Sequence, residues 1–516
     1  DLGSGLMVGG SPQLQLDAPM ALLFGALGVA VSLASAALPA LLLRRMAVSQ
    51  VLKGFGDAAH WRAPRWLGPG LLLGGAALAL LPPLWGLALG AYAAMFCLLL
   101  GGLACLAPLL RLALRAWPAS WTARSALGLL LRQRGIDRAG ELTQMVAGTL
   151  VALALSVSML VMVSSFRGSL LDWLQQMLPA DLYLRSSLRD LNGLPTPLPA
   201  DFVASVQRSG IASRLGKQRM LNVRVPLSAT EPGGAVTLLA RELGDGSALP
   251  LASPLHEPPV PGLLPVYVNE AMRDERQLQP GQRLSIDLRE ALGAKAAPAQ
   301  AYVRAIWRDY SRQSAAMLMP YADYLHATGD TVVTDLYLWL PQAADIQQAQ
   351  QRLRSLATQP RDIELAASGD LLAFSLKLFD RSFAVTYWLQ AVALGIGLFG
   401  VAASQSAQML ARRRELGLLL HLGFTRGQVL RLLMLESGLC SAAGVLAGLL
   451  LGLAISAVLV WVVNPQSFHW SMDLTVPPVQ LAALAATVFA AGTAAAWLTG
   501  WRALRADMVQ AVKEDW

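Results

Sequence analysis

The sequence predicts a polytopic α-helical membrane protein of about seven spans with one large extracytoplasmic mixed α/β domain. Three observations lead there. Of the 516 residues, 55% are hydrophobic and only 14% are charged, a balance that soluble globular chains rarely show. Seven apolar runs, at roughly 18–43, 67–83, 84–110, 143–165, 382–403, 437–463 and 478–501, have the length and lack of charge of membrane spans. One long polar stretch, 166–381, separates the fourth run from the fifth.

The loops give the orientation. Segment 44–66 carries Arg44, Arg45, Lys53, Arg62 and Arg65 against Asp57, and segment 111–142 carries Arg111, Arg115, Arg124, Arg132, Arg134 and Arg138 against Asp137 and Glu141. Segment 404–436 carries Arg412, Arg413, Arg414, Arg426 and Arg431 against Glu415 and Glu436, and the tail carries Arg502, Arg505 and Lys513. With seven spans all four lie on one side, which the positive-inside bias makes cytoplasmic. Residues 166–381 then lie outside. Tyr387, Trp388, Trp461 and Trp470 fall near the outer interface, where amphipathic rings settle. This placement accounts for the net charge of +8 without a nucleic-acid partner. Cys97, Cys105 and Cys440 lie in or beside apolar runs, so the outer stretch has no disulfide framework and the chain shows no metal spacing.

Within 166–381, Asp181–Leu184 reads as a strand and Ala200–Arg208 as a helix with Phe202, Val203 and Val206 on one face. Leu221–Leu227 and Ala235–Leu239 read as a strand pair across Glu231–Pro232–Gly233–Gly234. Val266–Val268, Leu284–Leu288, Tyr302–Trp307 and Ala315–Met319 suggest a small β-rich insert, with Gln279–Pro280–Gly281 as its clearest turn. Val332–Leu340, Asp345–Leu356 and Ile363–Leu365 then give strand, helix, strand. The order predicts a βαββαβ-type layer with a β-rich insert.

A weak internal repeat is present. LQLDAPMALL near the start and MDLTVPPVQL near the end each open an apolar run, closed by RRMAVSQVLKG and RALRADMVQAVKE. Domains are therefore expected at 1–53 (end of a first permease repeat), 54–125 (linker with a two-span hairpin), 126–165 (amphipathic helix and first span of a second repeat), 166–381 (outer domain) and 382–516 (three-span permease domain). The layout leads us to expect the C-terminal part of a longer permease, whose remaining piece resembles residues 141–470 in size and arrangement.

None of the seven runs has an ionisable residue near its middle. Proton- and ion-coupled transporters keep such residues despite their cost, so that class is disfavoured. A membrane hydrolase needs a nucleophile with a base, and neither His256 nor His326 stands beside a Ser or Cys motif. No GxxxxGK[ST] phosphate loop occurs.

Residues 409–452 read MLARRRELGLLLHLGFTRGQVLRLLMLESGLCSAAGVLAGLLLG. Arg412 to Leu422 is a short surface helix with Leu416, Leu419, Leu420 and Gly423 at helical spacing. Gly423 ends it and Thr425 caps the helix that enters the membrane. A short helix between two spans is a rigid lever. Gly444, Gly448 and Gly452, spaced by four, permit close helix packing. The alternative is an interfacial helix whose arginines touch anionic lipid.

The same stretch resembles the FtsX/MacB/LolC-like family of ABC permeases: a basic pair (Arg413, Arg414), then Glu415–Leu416–Gly417, Leu422–Gly423–Phe424, Thr425–Arg426, Glu436 and the spaced glycines. Phe424 stands where the family usually has Ala. Residues 126–166 resemble the family's entry helix and first span, and the extra pair of spans at 67–110 resembles its ten-span, YbbP-like branch. The resemblance implies ATPase coupling for Arg413, Arg414, Glu415, Leu416, Gly417, Gly423 and Arg426. Helix packing is assigned to Gly444, Gly448 and Gly452. It further implies a non-catalytic inner-membrane subunit with a periplasmic domain and a cytoplasmic C-terminus. ATP and Mg are then bound by a cytoplasmic ABC ATPase dimer, and this chain holds no cofactor. Membrane lipid and a periplasmic protein are further expected partners. The implied function is ATP-driven extrusion or extraction of hydrophobic or lipid-like compounds. Alternatives are a non-transporting transmitter that controls a periplasmic enzyme, and a lipoprotein-release or peptide or drug efflux permease.

Overall fold

The computed structural model describes residues 18–43, 64, 66–84, 87–116, 126–137, 139–190, 193–226, 234–243, 249–292, 298–342, 344–411 and 413–505. Arg44, Arg45, Lys53, the 231–233 turn and the tail beyond 505 lie outside the described residues. The chain divides into two units, Asp1–Arg65 and Trp66–Trp516. The first contributes α1 (Ala18–Leu43), an apolar helix of 26 residues.

In the second unit, α2 (Leu67–Ala79) and α3 (Leu89–Ala116) form the expected hairpin. Glycines allow their approach: a Cβ added at Gly75 would stand 3.0 Å from the Ala94 carbonyl oxygen, and one at Gly101 3.0 Å from Leu72. The helix expected over 67–83 stops at Ala79, ahead of Pro82–Pro83, which have no N–H to extend a helical ladder. Its 13 residues span about 20 Å, short of a roughly 30 Å hydrocarbon core. Among the described residues, six other helices are long and apolar enough to cross a membrane.

α4 (Ala126–Asp137) leads into α5 (Ala139–Met177). On the far side of the sheet domain, α11 (Ser368–Ala411), α12 (Arg413–His421), α13 (Arg426–Val458), α14 (Asn464–Phe468) and α15 (Pro478–Arg505) complete the bundle. A π-helical turn, Leu459–Val463, joins α13 to α14. α5 is the central helix, packed on α11 and α13, with α3 also against it, while α15 closes on α11 and α13. Gly444, Gly448 and Gly452 all face α5. An added Cβ would stand 3.1 Å from Val146 Cβ, 3.1 Å from Leu153 Cδ2 and 2.5 Å from Val157 Cβ, respectively. α5 has 39 residues and α11 has 44, so each helix is about 60 Å long or slightly more, roughly twice the hydrocarbon core, and runs beyond the bilayer as a stalk.

Between the stalks lies one nine-stranded sheet, ordered β5-β6-β4-β7-β3-β2-β8-β1-β9. The strands are β1 (Leu182–Ser186), β2 (Arg214–Arg224), β3 (Ala235–Arg241), β4 (Leu264–Asn269), β5 (Arg283–Ile286), β6 (Ala299–Trp307), β7 (Ala316–Pro320), β8 (Asp335–Trp339) and β9 (Ile363–Ala367). With α6 (Ala200–Arg208) and α10 (Ile346–Leu356), the run β1-α6-β2…β8-α10-β9 is the βαββαβ layer. β1 is antiparallel to β8 and β9, and β2 to β8, so each helix links parallel strands. Phe202, Val203 and Val206 bury with Leu182, Leu184, Leu336, Leu338 and Leu353. The insert is continuous with this layer, because β3 pairs antiparallel with β2 and parallel with β7. It carries its own core of Leu221, Val236, Leu238, Val266, Val268, Val303 and Met317, closed by α7 (Glu270–Arg276), α8 (Arg289–Leu292) and α9 (Tyr321–Thr328). β2 starts at Arg214 and ends at Arg224, earlier on both counts than the sequence suggested.

Trp388 and Trp461 are exposed, at 75% and 61%. Trp470 departs from the expectation: it is buried among Phe166, Tyr310 and Phe468, and its Nε1 donates to Asn464 Oδ1 at 3.0 Å.

A polar network lies inside the sheet domain. Asp335 is buried and accepts from Thr334 Oγ1 at 2.7 Å and Gln218 Nε2 at 3.2 Å. Tyr337 donates to Gln218 Oε1. Arg241 stacks over Tyr337 at 4.6 Å and donates to the Met177 carbonyl at 2.8 Å, tying the sheet to the end of α5.

Two stability predictions follow from packing and burial. Gly452→Ala should destabilise by about 1–3 kcal/mol through overpacking, although alanine favours an unobstructed helix by about 1 kcal/mol. Gly400→Ala, with nothing within 4 Å, should be neutral or stabilising, so thermal melts in detergent will show opposite signs. Burial pushes the Asp335 carboxyl above its ordinary range. Its stabilising contribution is complete below the unfolded value, near pH 4, and is lost as pH rises through the folded value. Asp335→Asn keeps an acceptor for both donors, so it should raise stability at pH 7 and flatten the pH dependence of unfolding above about pH 4.

Candidate coupling site

The end of the bundle remote from the sheet is built by α4, α12 and the starts of α5 and α13. The turn from α12 into α13 is fixed by backbone chemistry on both of its sides. Phe424 N–H bonds the Leu419 carbonyl and Gly423 N–H the Leu420 carbonyl, both at 3.1 Å, which is the pairing of a Schellman C-cap. Gly423 takes φ +94° there, a conformation that suits glycine. Thr425 caps α13: its Oγ1 accepts from Gln428 N–H at 3.3 Å, while Gln428 Oε1 accepts from Thr425 N–H at 2.9 Å. This reciprocal box fixes the turn between the two helices.

One face of α12 is anchored. Leu416 is fully buried with Met409, Val429 and Leu433, and Leu419, Leu420 and Phe424 pack around them. Gly417 is also buried. The other face presents Leu418 and Leu422, exposed at 61% and 69%. Arg426 is exposed at the first turn of α13. Arg413 and Arg414 open α12, and their side chains lie outside the described residues.

Glu415 turns toward α4. Arg134 Nη2 donates to Glu415 Oε2 at 2.8 Å, and Arg134 Nη1 stands 3.8 Å from Glu436 Oε1. The Glu436 side chain is 6% exposed. Beside it, Gln405 of α11 donates to Ser437 Oγ at 2.7 Å. Arg132 fastens α4 to the end of α3 by donating to the Leu114 and Arg115 carbonyls at 3.1 and 3.2 Å, where helix carbonyls have no partner of their own. Sequence reasoning counted Arg134 only as an orientation charge and missed Gln405. The signal was Glu436 itself: a carboxylate leading an apolar run needs a cation if it is buried.

A second joint lies at the sheet end. Loop 469–477, between α14 and α15, is fastened to the insert. Arg308 makes a two-point ion pair with Asp473 at 2.7 and 3.2 Å. Tyr310 donates to the Ser471 carbonyl at 2.7 Å, and Ser471 N–H donates to Glu270 at 3.0 Å. α5 holds the same loop, since Ser169 and Ser165 accept from the Asp473 and Thr475 N–H groups at 3.0 and 2.9 Å. Burial pushes the Glu270 carboxyl up, and the Tyr310 phenol up to about 12. A cavity of about 330 Å³ at this joint is lined by Asp172, Trp173, Arg308, Tyr310 and Asp473, among others.

Residues 389–508 match the FtsX-like permease C-terminal family. The chain is 27% identical, over 377 residues, to the uncharacterized ABC transporter permease protein Rv0987 of Mycobacterium tuberculosis; the match covers 72% of this chain and 43% of the relative. The chain thus spans less than half the length of that relative. The sheet domain is similar to the periplasmic region of MacB from Actinobacillus actinomycetemcomitans (10% identity, TM-score 0.27, 39% of this chain and 94% of that one). It is also similar to the extracellular domain of the transporter YknZ from Gram-positive bacteria (12% identity, TM-score 0.25, 36% and 98%).

A polytopic membrane protein with one large mixed α/β domain is the class these features define. Its C-terminal part matches the FtsX-like permease C-terminal family, and the chain is similar to a protein described as an ABC transporter permease.

The caps of α12 carry a test of their own. Gly423→Ala should cost about 1–2 kcal/mol for the left-handed backbone, and Thr425→Ala about 1 kcal/mol for the lost cap. Thermal unfolding in detergent should rank both below wild type.

Proposed function

We propose that this chain is the membrane subunit of an ATP-driven transporter of the mechanotransmission type. In this reading α12 takes up the stroke of a cytoplasmic ABC ATPase dimer. It passes the motion to α11 and α13, and so to the periplasmic sheet domain and the loop fastened to it. ATP and Mg²⁺ are held by the partner, and this chain is non-catalytic. The observation that carries the reading is the build of α12: capped where it turns into α13, buried on Leu416, and presenting Leu418 and the following Leu422 outward. A helix so held moves as one piece with its neighbours. The loop charges support a cytoplasmic basic end and a cytoplasmic C-terminus. Hydrophobic or lipid-like compounds are the cargo this reading favours, on the strength of the resemblance to the ten-span branch.

The experiment is co-purification of the full-length gene product with a candidate small ABC ATPase, comparing wild type with Leu418→Asp/Leu422→Asp. Each leucine buried at an interface contributes about 1.5–3 kcal/mol, so the double variant should weaken binding at least tenfold with the melting temperature unchanged. Unchanged ATPase binding, with lost attachment of α12 to lipid, would make α12 an interfacial anchor and remove the proposal.

A further inference from the structure

Among the described residues, three charged side chains from three elements meet at the basic end: Arg134 of α4, Glu415 of α12 and Glu436 of α13. They are not equivalent. Glu436 is nearly buried, and its helix is seated on α5 by the spaced glycines and tied to α11 by the Gln405–Ser437 bond. Glu415 is 36% exposed and sits on a helix of nine residues. α4 is itself pinned to α3 by Arg132, and a Cβ added at Gly135 would meet Leu114 at 2.7 Å. One guanidinium therefore stands on a helix braced by α3, hydrogen-bonded at 2.8 Å to the more exposed carboxylate and 3.8 Å from the buried one.

The planar guanidinium serves two carboxylates at once, which an ammonium does poorly. The two contacts also differ in cost. The Arg134–Glu415 pair is partly exposed, 18% and 36% at the two side chains, and such a pair separates more readily than a fully buried one.

We infer that Arg134 is a positioning residue of the transmission step: carried on α4, which is braced against α3, it holds α12 in its resting place through Glu415 and releases Glu415 when α12 and the start of α13 move. α4 is then the fixed bracket against which the lever is set. The inference rests on α12 being the coupling element.

The test uses the full-length chain with its ATPase in lipid nanodiscs. Cys97, Cys105 and Cys440 are replaced by serine, and spin labels are placed at Leu129→Cys on α4 and His421→Cys on α12. In wild type, one distance should dominate without nucleotide and a second should appear with a non-hydrolysable ATP analogue. Arg134→Gln and Glu415→Gln should each raise the population of the second distance about two- to fivefold without nucleotide, the range an exposed ion pair supports. Arg134→Lys should lie between them and wild type. Glu415→Gln leaves Arg134 beside the buried Glu436, so it decides the matter if Arg134→Gln fails to fold. A wild type that responds to nucleotide while Glu415→Gln keeps the resting distance overturns this inference alone. A wild type whose distance ignores nucleotide removes the coupling reading and this inference with it.

Discussion

The close approach of α5 and α13 is the constraint on which the rest of the membrane part depends. Gly444, Gly448 and Gly452 place α13 against Val146, Leu153 and Val157, with no room for a side chain between. In lipid, helices gain nothing by hiding apolar surface from each other, so contact has to come from shape. That contact fixes the depth and rotation of α13. Glu436 thereby reaches Arg134 at one end of the helix, and the 469–477 loop reaches Arg308 and Tyr310 at the other.

The two ends solve a similar problem with different chemistry. At the basic end, a short capped helix is held by buried leucines and by charges shared among three elements. At the sheet end, an irregular loop is held by backbone hydrogen bonds from α5 serines, a two-point ion pair and a cluster of aromatic rings. A loop can be fixed this firmly because its N–H groups find protein partners, which buried backbone requires. The insert is thus attached twice, through β2–β3 pairing and through this loop.

Much of this was legible in the sequence, for identifiable reasons. The long helices announce themselves by charge-free runs. α6 shows Phe202, Val203 and Val206 on one face, and Gly423 and Thr425 stand where a helix must stop and another start. Other features were hidden. The first half of β2, Arg214–Met220, carries Arg214, Lys217, Gln218 and Arg219 in place of an apolar alternation; Gln218 joins the polar network and Arg219 pairs with Asp330 at 3.2 Å. The continuity of the sheet rests on the pairing of β3 with β7, residues far apart in sequence, for which no local pattern exists. Trp470 carries the composition of an interfacial ring, and only tertiary contacts reveal that it is interior. Arg134 looks like its arginine neighbours until Glu415 and Glu436 are placed beside it.

β9 ends at Ala367 and α11 begins at Ser368, and only Leu178 to Asp181 separate α5 from β1. The outer domain is therefore not tethered to the membrane by flexible chain. Its edge strand β9 and the neighbouring β1 are extensions of two apolar helices. A tethered domain loses the direction of a small displacement in the many conformations of its tether. Here a tilt of α5 against α11 arrives at β1 and β9, which are adjacent and hydrogen-bonded, with no play in the connection. The domain reports the angle between the two helices as a dial reports the angle of its shaft.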